Sequence, residues 1–148
     1  MPLLDDIVDE RRGIDAAFVS DLSSGFPLES STTPNGRDPK LINALIGTGS
    51  GGPAFAQMGV FQAIQRMMDR FGQETGHGDL NSTILQFGGD NETYKGILVV
   101  YVCRLKKMSL AIGFVNTKQT GDSLASMVFF CESHIKDILA EVEQKYGP

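Results

Sequence analysis

The stretch "YKGILVVYVCRLKKMSLAIGFVN", residues 94–116, decides the fold of this chain. Its first half is a nearly continuous apolar run, which is typical of a central strand covered on both faces. The short connection "LKK", residues 105–107, separates it from a second apolar run. Two strands joined so closely form a hairpin, so the sequence predicts antiparallel strands at residues 94–104 and 108–116.

The segments that flank this hairpin supply three further strands. The run "STILQF", residues 82–87, leads into the hairpin through the short connection "GGDNE" and predicts another antiparallel neighbour. Near the N-terminus, residues 14–22 and the segment "FPLESS", residues 26–31, predict a strand and its return strand. Pro27 has no N–H group to donate, which indicates an edge position for the return strand.

Apolar residues at helical spacing predict helices at residues 3–12, 53–71 and 122–146. The predicted apolar stripe of the last helix comprises Leu124, Val128, Cys131, Ile135, Leu139, Val142 and Tyr146. The pairs Glu132–Lys136 and Glu141–Lys145 are predicted on its solvent face. The order α-β-β-α-β-β-β-α predicts an α/β protein of the α+β type, a single domain over residues 1–148. In it the central and terminal helices sandwich one five-stranded antiparallel sheet, as in profilin-like and longin-like folds.

Composition excludes several function classes. The 148 residues carry a net charge of −5 and no basic cluster beyond Arg104, Lys106 and Lys107, so nothing indicates nucleic-acid binding. No apolar run approaches the ~20 residues that span a bilayer. The acidic N-terminus lacks the apolar core of a signal peptide, so we expect a cytoplasmic protein. Cys103 and Cys131 lie in apolar runs, and we expect both to be reduced and packed.

The stretch "LIGTGSGGPA", residues 45–54, contains the spacing G-x-G-x-x-G at Gly47, Gly49 and Gly52. A dinucleotide site requires a parallel strand after the following helix, whereas a hairpin sheet follows here. A phosphate-binding loop requires a Gly-Lys-Ser/Thr sequence, which is missing. We therefore interpret the glycines as a break before the central helix and expect no nucleotide or other cofactor.

Candidate catalytic and metal-binding residues are sparse. His77, in "GHGD", is followed by Asp79, but one histidine and one acid fall short of a ligand set. His134 lies on the last helix and is predicted to be a surface residue. The spacing names no catalytic triad or carboxylate pair, so we expect no metal site, no catalytic residue and no enzyme activity.

The central helix has more apolar surface than one sheet can cover. One line of positions at helical spacing comprises Ala54, Met58, Phe61, Ile64 or Gln65, Met68 and Phe71, and a second comprises Phe55, Ala63 and Met67. A sheet covers one side of such a helix, so the apolar residues on the other side predict a binding partner.

The chain resembles the Roadblock/LC7 family of dynein light-chain-like proteins over nearly its whole length. The resemblance begins in "LLDDIVDERRGIDAAFVSDLSSGFPLESS", with its Gly turn and strand pair, and continues through "GILVVYVCR", "MSLAIGFVN" and the helix after "TGDSLA". Two features depart from the family pattern. Residues 21–25 replace the usual Asp-Gly turn and imply a longer loop. The "GTGSGG" segment interrupts the second helix, which leaves residues 40–46 as a separate helical turn and the role of residues 47–52 open.

The resemblance implies a homodimer, or a heterodimer with another Roadblock protein, that binds a small Ras-like GTPase and regulates or tethers it. On this reading the dimer interface comprises Met58, Phe61, Ile64, Gln65 and Met68 of the helix, with Thr83 and Leu85 of the third strand. The polar positions open to the GTPase are Gln62, Arg66, Asp69 and Arg70. Arg66 or Arg70 then serves either as an arginine finger or as a solubilising charge.

Two other functions fit the same sheet. One is a small-molecule sensor of the PAS, GAF or profilin type, which needs a cavity between sheet and helix. The bulky residues Val99, Tyr101, Phe114, Phe129 and Phe130 are expected to fill that space, which argues against it. The other is a structural scaffold subunit, which sequence does not separate from a GTPase regulator. The family reading favours a prokaryotic regulator.

Overall fold

Five strands form one antiparallel sheet, and two long helices accompany it. The computed structural model describes residues 3–9, 14, 16–23, 27–32, 53–87, 96–116 and 123–147. The strands are β1 (Ala16–Asp21), β2 (Pro27–Thr32), β3 (Ser82–Phe87), β4 (Gly96–Arg104) and β5 (Ser109–Asn116). The helices are α1 (Pro53–Glu74) and α2 (Ser123–Tyr146), preceded by a 3-10 helix at Leu3–Asp6. Residues 40–52, and the side chains of Met58 and Phe61, lie outside the described residues.

The strand order is β2-β1-β5-β4-β3, with every neighbouring pair antiparallel. The predicted hairpin forms the centre of this sheet, because β1 adds to β5 and β3 adds to β4. The predicted edge position of β2, which contains Pro27, is confirmed, and β3 is the other outermost strand. The bounds of β3 match the prediction.

The two faces of the sheet carry separate apolar clusters because side chains alternate along each strand. On the face that packs against α2, which we call the α2 face, lie Ile97, Val99 and Tyr101 of β4. On the opposite face lie Leu98 and Val100 of the same strand. All five are buried. Coverage of β4 on both faces is therefore confirmed.

Gly113 of β5 permits a close contact inside the opposite-face cluster. It pairs with Phe18 of β1 in the register of the sheet. A Cβ atom at position 113 would lie 2.1 Å from the Phe18 ring. The ring occupies the volume above the glycine, and Phe18 is among the largest fully buried side chains. Only a residue without a side chain fits there.

The helix predicted over residues 3–12 is wrong in extent. The structure has a 3-10 helix at Leu3–Asp6. Asp9 and Ile14 then exchange two backbone hydrogen bonds of 3.1 and 3.2 Å, which end any helical pattern. This tighter path places Leu4, Ile7 and Ile14 in the α2-face core. Burial of these three side chains outweighs the helical periodicity of the segment.

Helix α2 crosses its face of the sheet from β4 to β2. At one end the Tyr101 hydroxyl donates to Glu132, 2.9 Å away, and at the other Lys145 lies 2.8 Å from Glu29. The predicted solvent-face position of Glu132, Lys136, Glu141 and Lys145 is confirmed, since all four are exposed. Glu132 and Lys145 nevertheless bond to side chains of the sheet. Met127 and Ile138, outside the predicted stripe, are buried more deeply than its members Val128, Ile135 and Leu139. Among the described residues, neither helix is long and apolar enough to cross a bilayer.

Candidate partner-binding surface

The C-terminal half of α1 exposes large apolar side chains. Met67 is 65% exposed, Met68 40% and Phe71 62%. Met67 and Phe71 are four residues apart, so they lie on one side of the helix. Apolar groups of this size in adjoining positions mark an interaction surface more often than isolated exposed residues do. The expectation of an uncovered apolar side on this helix is confirmed for its described part.

The predicted dimer residues divide between the helix and the edge strand. Ile64 and Gln65 are half-buried, and Met68 is exposed. Thr83 and Leu85 are half-buried on the opposite face of the sheet, where Leu85 packs against the buried cluster. The structure therefore places Thr83 and Leu85 on a common face, and their role in a dimer stays a prediction.

Of the four predicted partner-binding residues, two are engaged within the chain. The Gln62 side-chain amide donates to the carbonyl of Leu22, beyond the end of β1. Asp69 accepts the N–H of Leu80 at 2.7 Å. In contrast, Arg66 is exposed and Arg70 makes only a surface ion pair with Glu74, at 3.0 Å. The two arginines are therefore the residues of this set with accessible charge.

Asp69 joins α1 to the sheet. One carboxylate oxygen lies 3.1 Å from Arg104, the last residue of β4. Arg104 also donates to the Leu80 carbonyl at 2.9 Å and lies 3.8 Å from Asp79. We call Asp69, Asp79, Leu80 and Arg104 the α1–β4 joint. It fixes the C-terminal end of α1 beside the start of β3, next to the exposed Met67 and Phe71.

The turn that ends α1 is built around glycines. Gly76 and Gly78 have φ angles of +77° and +86°, which side chains disfavour. The N–H groups of His77 and Gly78 both donate to the Gly72 carbonyl, at 2.7 and 3.0 Å. His77 itself is exposed, and its Nδ1 lies 2.9 Å from the Thr75 hydroxyl. The "GHGD" segment therefore caps a helix.

The two edges of the sheet differ in chemistry. In β2, Pro27 removes a donor and Glu29 is held by Lys145 and Tyr146 of α2. In β3, the sequence "STILQF" has no charge and no proline. Natural edge strands use charge, proline or coverage to prevent pairing with other chains. The β3 edge lacks the first two of these features and is suited to strand pairing.

Sequence reasoning missed the exposure of two large apolar residues. Ile84 of β3 is 48% exposed and Phe129 of α2 is 75% exposed. Phe129 was expected to fill space between sheet and helix, and this is wrong, whereas Val99, Tyr101 and Phe114 are buried. The alternation of β3 was the available signal for Ile84, because a strand that directs Thr83 and Leu85 to one face directs Ile84 to the other.

Thiol and metal chemistry have little support in the described residues. Cys103 and Cys131 are both free, as predicted, with Cys131 buried and Cys103 half-buried. Burial raises the pKa of the Cys131 thiol to about 12, aided by the negative charge of Glu132. A thiol so rarely ionised is a poor nucleophile. No group of three or more metal-binding side chains occurs in the part of the chain that the structure describes.

These elements define a Roadblock/LC7-like α+β fold. Solved structures of MglB share it. Myxococcus xanthus MglB matches with a TM-score of 0.56 and 11% identity, over 97% of this chain and 88% of that one. The gliding protein MglB of Thermus thermophilus matches with a TM-score of 0.61 and 13% identity, over 97% and 87%. An MglB with a tetrameric arrangement matches with a TM-score of 0.59 and 14% identity, over 96% and 83%.

The likeness to MglB concerns the fold, because identities of this size establish shared architecture alone. No protein-family model matches the chain, and no curated protein matches it in sequence.

Proposed function

We propose that this protein is a non-catalytic interaction module that dimerises through β3 and α1 and binds a small Ras-like GTPase. The observation that carries the proposal is an uncharged strand at the edge of the sheet that the structure describes, next to a helix with three large exposed apolar side chains. The MglB fold supports it, because one such protein forms a tetrameric arrangement. A single domain over residues 1–148, acting in the cytoplasm, is sufficient for this role.

The dimer that we propose joins two sheets edge to edge through β3. Thr83 and Leu85 then extend one apolar face across the two-fold axis. Ile64, Gln65 and Met68 contribute from the helix, together with Met58 and Phe61 further toward its N-terminus. A heterodimer with another Roadblock protein uses the same surfaces.

The GTPase site that we propose uses the accessible charge of α1. Arg66 and Arg70 are one helical turn apart and exposed, so they can both contact one acidic surface. Gln62 and Asp69 contribute indirectly, because their hydrogen bonds to Leu22 and Leu80 hold α1 in place against the rest of the chain. The helix therefore presents its charges from a fixed position.

Affinity capture tests the GTPase proposal. The purified protein is immobilised and incubated with host lysate containing either a GTP analogue or GDP, and bound proteins are identified by mass spectrometry. We expect a Ras-like GTPase that is enriched with the GTP analogue. The double variant Arg66→Glu/Arg70→Glu should lose it, while the control Lys107→Glu/Lys136→Glu, two exposed lysines outside α1 with the same change in charge, should retain it.

Other outcomes of the capture experiment separate the alternatives. Equal capture of a GTPase in both nucleotide states indicates a tether and not a regulator. If neither sample yields a GTPase, the GTPase proposal is wrong and a scaffold role takes its place.

A further inference from the structure

The two exposed arginines of α1 have different surroundings. Arg70 lies 3.0 Å from Glu74, one turn further along the helix, and both side chains are largely exposed. Arg66 also has an acidic neighbour, because Asp69 follows it by three residues. Residues three or four apart on a helix are close enough to pair, so the spacing permits an Arg66–Asp69 ion pair. Within the residues that the structure describes, however, no ion pair involves Arg66.

Asp69 leaves Arg66 unpaired because its carboxylate is already occupied. One oxygen accepts the N–H of Leu80 at 2.7 Å and lies 3.1 Å from a terminal nitrogen of Arg104. The other oxygen accepts from the side-chain amide of Gln65 at 3.2 Å. The Asp69 side chain is only 21% exposed, so it is turned toward the rest of the chain and away from solvent.

Arg104 is well suited to hold this carboxylate. A guanidinium group is planar and donates in several fixed directions. The nitrogen that contacts Asp69 also donates to the Leu80 carbonyl at 2.9 Å, and Nε lies 3.8 Å from Asp79. As the last residue of β4, Arg104 is paired with Ser109 of β5. The sheet therefore fixes the position of the cation that offsets the charge of Asp69.

We propose that Arg104 is a positioning residue of the GTPase site, because it holds Asp69 and so leaves Arg66 free to bind a carboxylate of the partner. This inference rests on the proposed function and makes Arg66 the principal contact. Arg70 shows the opposite situation, since a partner must displace Glu74 before it can bind that arginine. Arg104 acts through Asp69 and needs no contact with the GTPase.

Loss of Arg104 leaves the carboxylate of Asp69 without its cation. The carboxylate can then pair with Arg66, as Glu74 pairs with Arg70, and its charge repels an acidic partner. Arg104→Gln should therefore raise the dissociation constant for the GTPase about two- to fivefold, which is the strength of one exposed ion pair.

Rescue by a second substitution tests this role. In Asp69→Asn/Arg104→Gln no carboxylate remains to pair with Arg66, and the amide oxygen at position 69 can still accept the N–H of Leu80. We expect the double variant to bind within about twofold of the wild type. A purely structural role of Arg104 predicts no rescue, since both variants lack its hydrogen bond to Leu80. Surface plasmon resonance measures each affinity, with the captured Ras-like GTPase loaded with a GTP analogue as the probe.

Two controls separate this effect from others. Lys107→Gln removes a positive charge from an exposed residue of the same hairpin and should bind like the wild type. Arg66→Gln should weaken binding at least about tenfold, since it removes a charge-assisted hydrogen bond. In the Arg66→Gln background, Arg104→Gln should have no further effect, because the arginine that it protects is already missing.

The outcomes distinguish this inference from the proposed function. If the double variant binds as weakly as Arg104→Gln, Arg104 only supports the joint, and the inference is wrong while GTPase binding stands. Equal losses for Lys107→Gln and Arg104→Gln would attribute the effect to net charge and also overturn it. If the wild type captures no Ras-like GTPase in either nucleotide state, the proposed function and this inference are both wrong.

Discussion

Position 113 shows at the scale of one residue how closely two strands approach. Gly113→Ala places a Cβ atom 2.1 Å from the Phe18 ring, in a cluster where both neighbours are fixed by strand pairing. Overpacking of this kind costs about 1–3 kcal/mol of unfolding free energy. We expect a loss in this range by urea denaturation.

A double-mutant cycle identifies the cause of that loss. In Gly113→Ala/Phe18→Leu the smaller side chain at position 18 frees the space, so the double variant should be more stable than the sum of the two single changes predicts. Additive effects would mean that backbone strain, and not the ring contact, disfavours alanine.

Glu29 links stability to pH. Its burial alone would raise the carboxyl pKa, but hydrogen bonds from Lys145 and Tyr146 and the charge of Lys145 outweigh that effect and lower the pKa below 4.5. A lowered pKa in the folded state stabilises the protein above the unfolded pKa, and the contribution is lost as pH falls through the folded value.

The change Glu29→Gln should therefore flatten the acid limb of the stability curve. At pH 7 we expect it to cost about 1 kcal/mol of unfolding free energy, and this difference should shrink as the pH falls below 4.5. Urea denaturation at a series of pH values measures both. Glu141→Gln, at an exposed position of α2, serves as control. A cost that does not vary with pH would contradict the ion-pair explanation.

At the scale of the element, Asp69 determines how α1 is held. Its carboxylate accepts from Leu80, from Arg104 and, at 3.2 Å, from Gln65. Asp69→Ala leaves the Leu80 N–H and the Arg104 guanidinium without this partner. The expected cost is about 1–2 kcal/mol of unfolding free energy, with faster hydrogen exchange across residues 75–81.

The neighbouring ion pair provides the matched control for Asp69. Glu74→Ala removes the carboxylate that pairs with Arg70, and both side chains are largely exposed. Its effect should stay below about 0.5 kcal/mol. Equal effects of the two substitutions would show that the α1–β4 joint does not fix the helix.

Sequence reasoning works for elements whose signal is local. The bounds of β3 follow from its apolar run and flanking turns, and the β4–β5 hairpin follows from a short connection between two apolar runs. The first helix was overestimated because Leu4, Ile7 and Ile14 reach the core through a bridge between Asp9 and Ile14. That bridge depends on tertiary packing, which periodicity does not record.

The candidate surface was predictable only in part, for a similar reason. An excess of apolar positions on the central helix indicated an uncovered side, and Met67, Met68 and Phe71 confirm it. The inward roles of Gln62 and Asp69 depend on Leu22, Leu80 and Arg104, which lie 11 to 40 residues away in sequence. The sequence does not indicate which distant residue a polar side chain on a helix contacts.

At the scale of the whole molecule, substitution of the exposed residues of α1 should affect dimer formation much more than the stability of the monomer. Met67 and Phe71 contact water in the isolated chain, so Met67→Lys/Phe71→Lys removes little packing from the monomer. In the dimer that we propose, the same change places two like charges beside an apolar interface. The substitution should therefore weaken the dimer and leave the stability of the monomer nearly unchanged.

Concentration dependence of the melting temperature makes this difference measurable. A dimer that forms only from folded chains raises Tm as protein concentration rises. We expect this increase for the wild type and for the control Ala140→Lys/Gln144→Lys, an exposed pair at the same spacing on α2. The Met67→Lys/Phe71→Lys variant should match the wild type at low concentration and lose the increase, with sedimentation at the mass of one chain. A variant that keeps the wild-type concentration dependence would show that the dimer interface does not lie beside Met67 and Phe71, because like charges beside an apolar interface oppose association through desolvation and repulsion together.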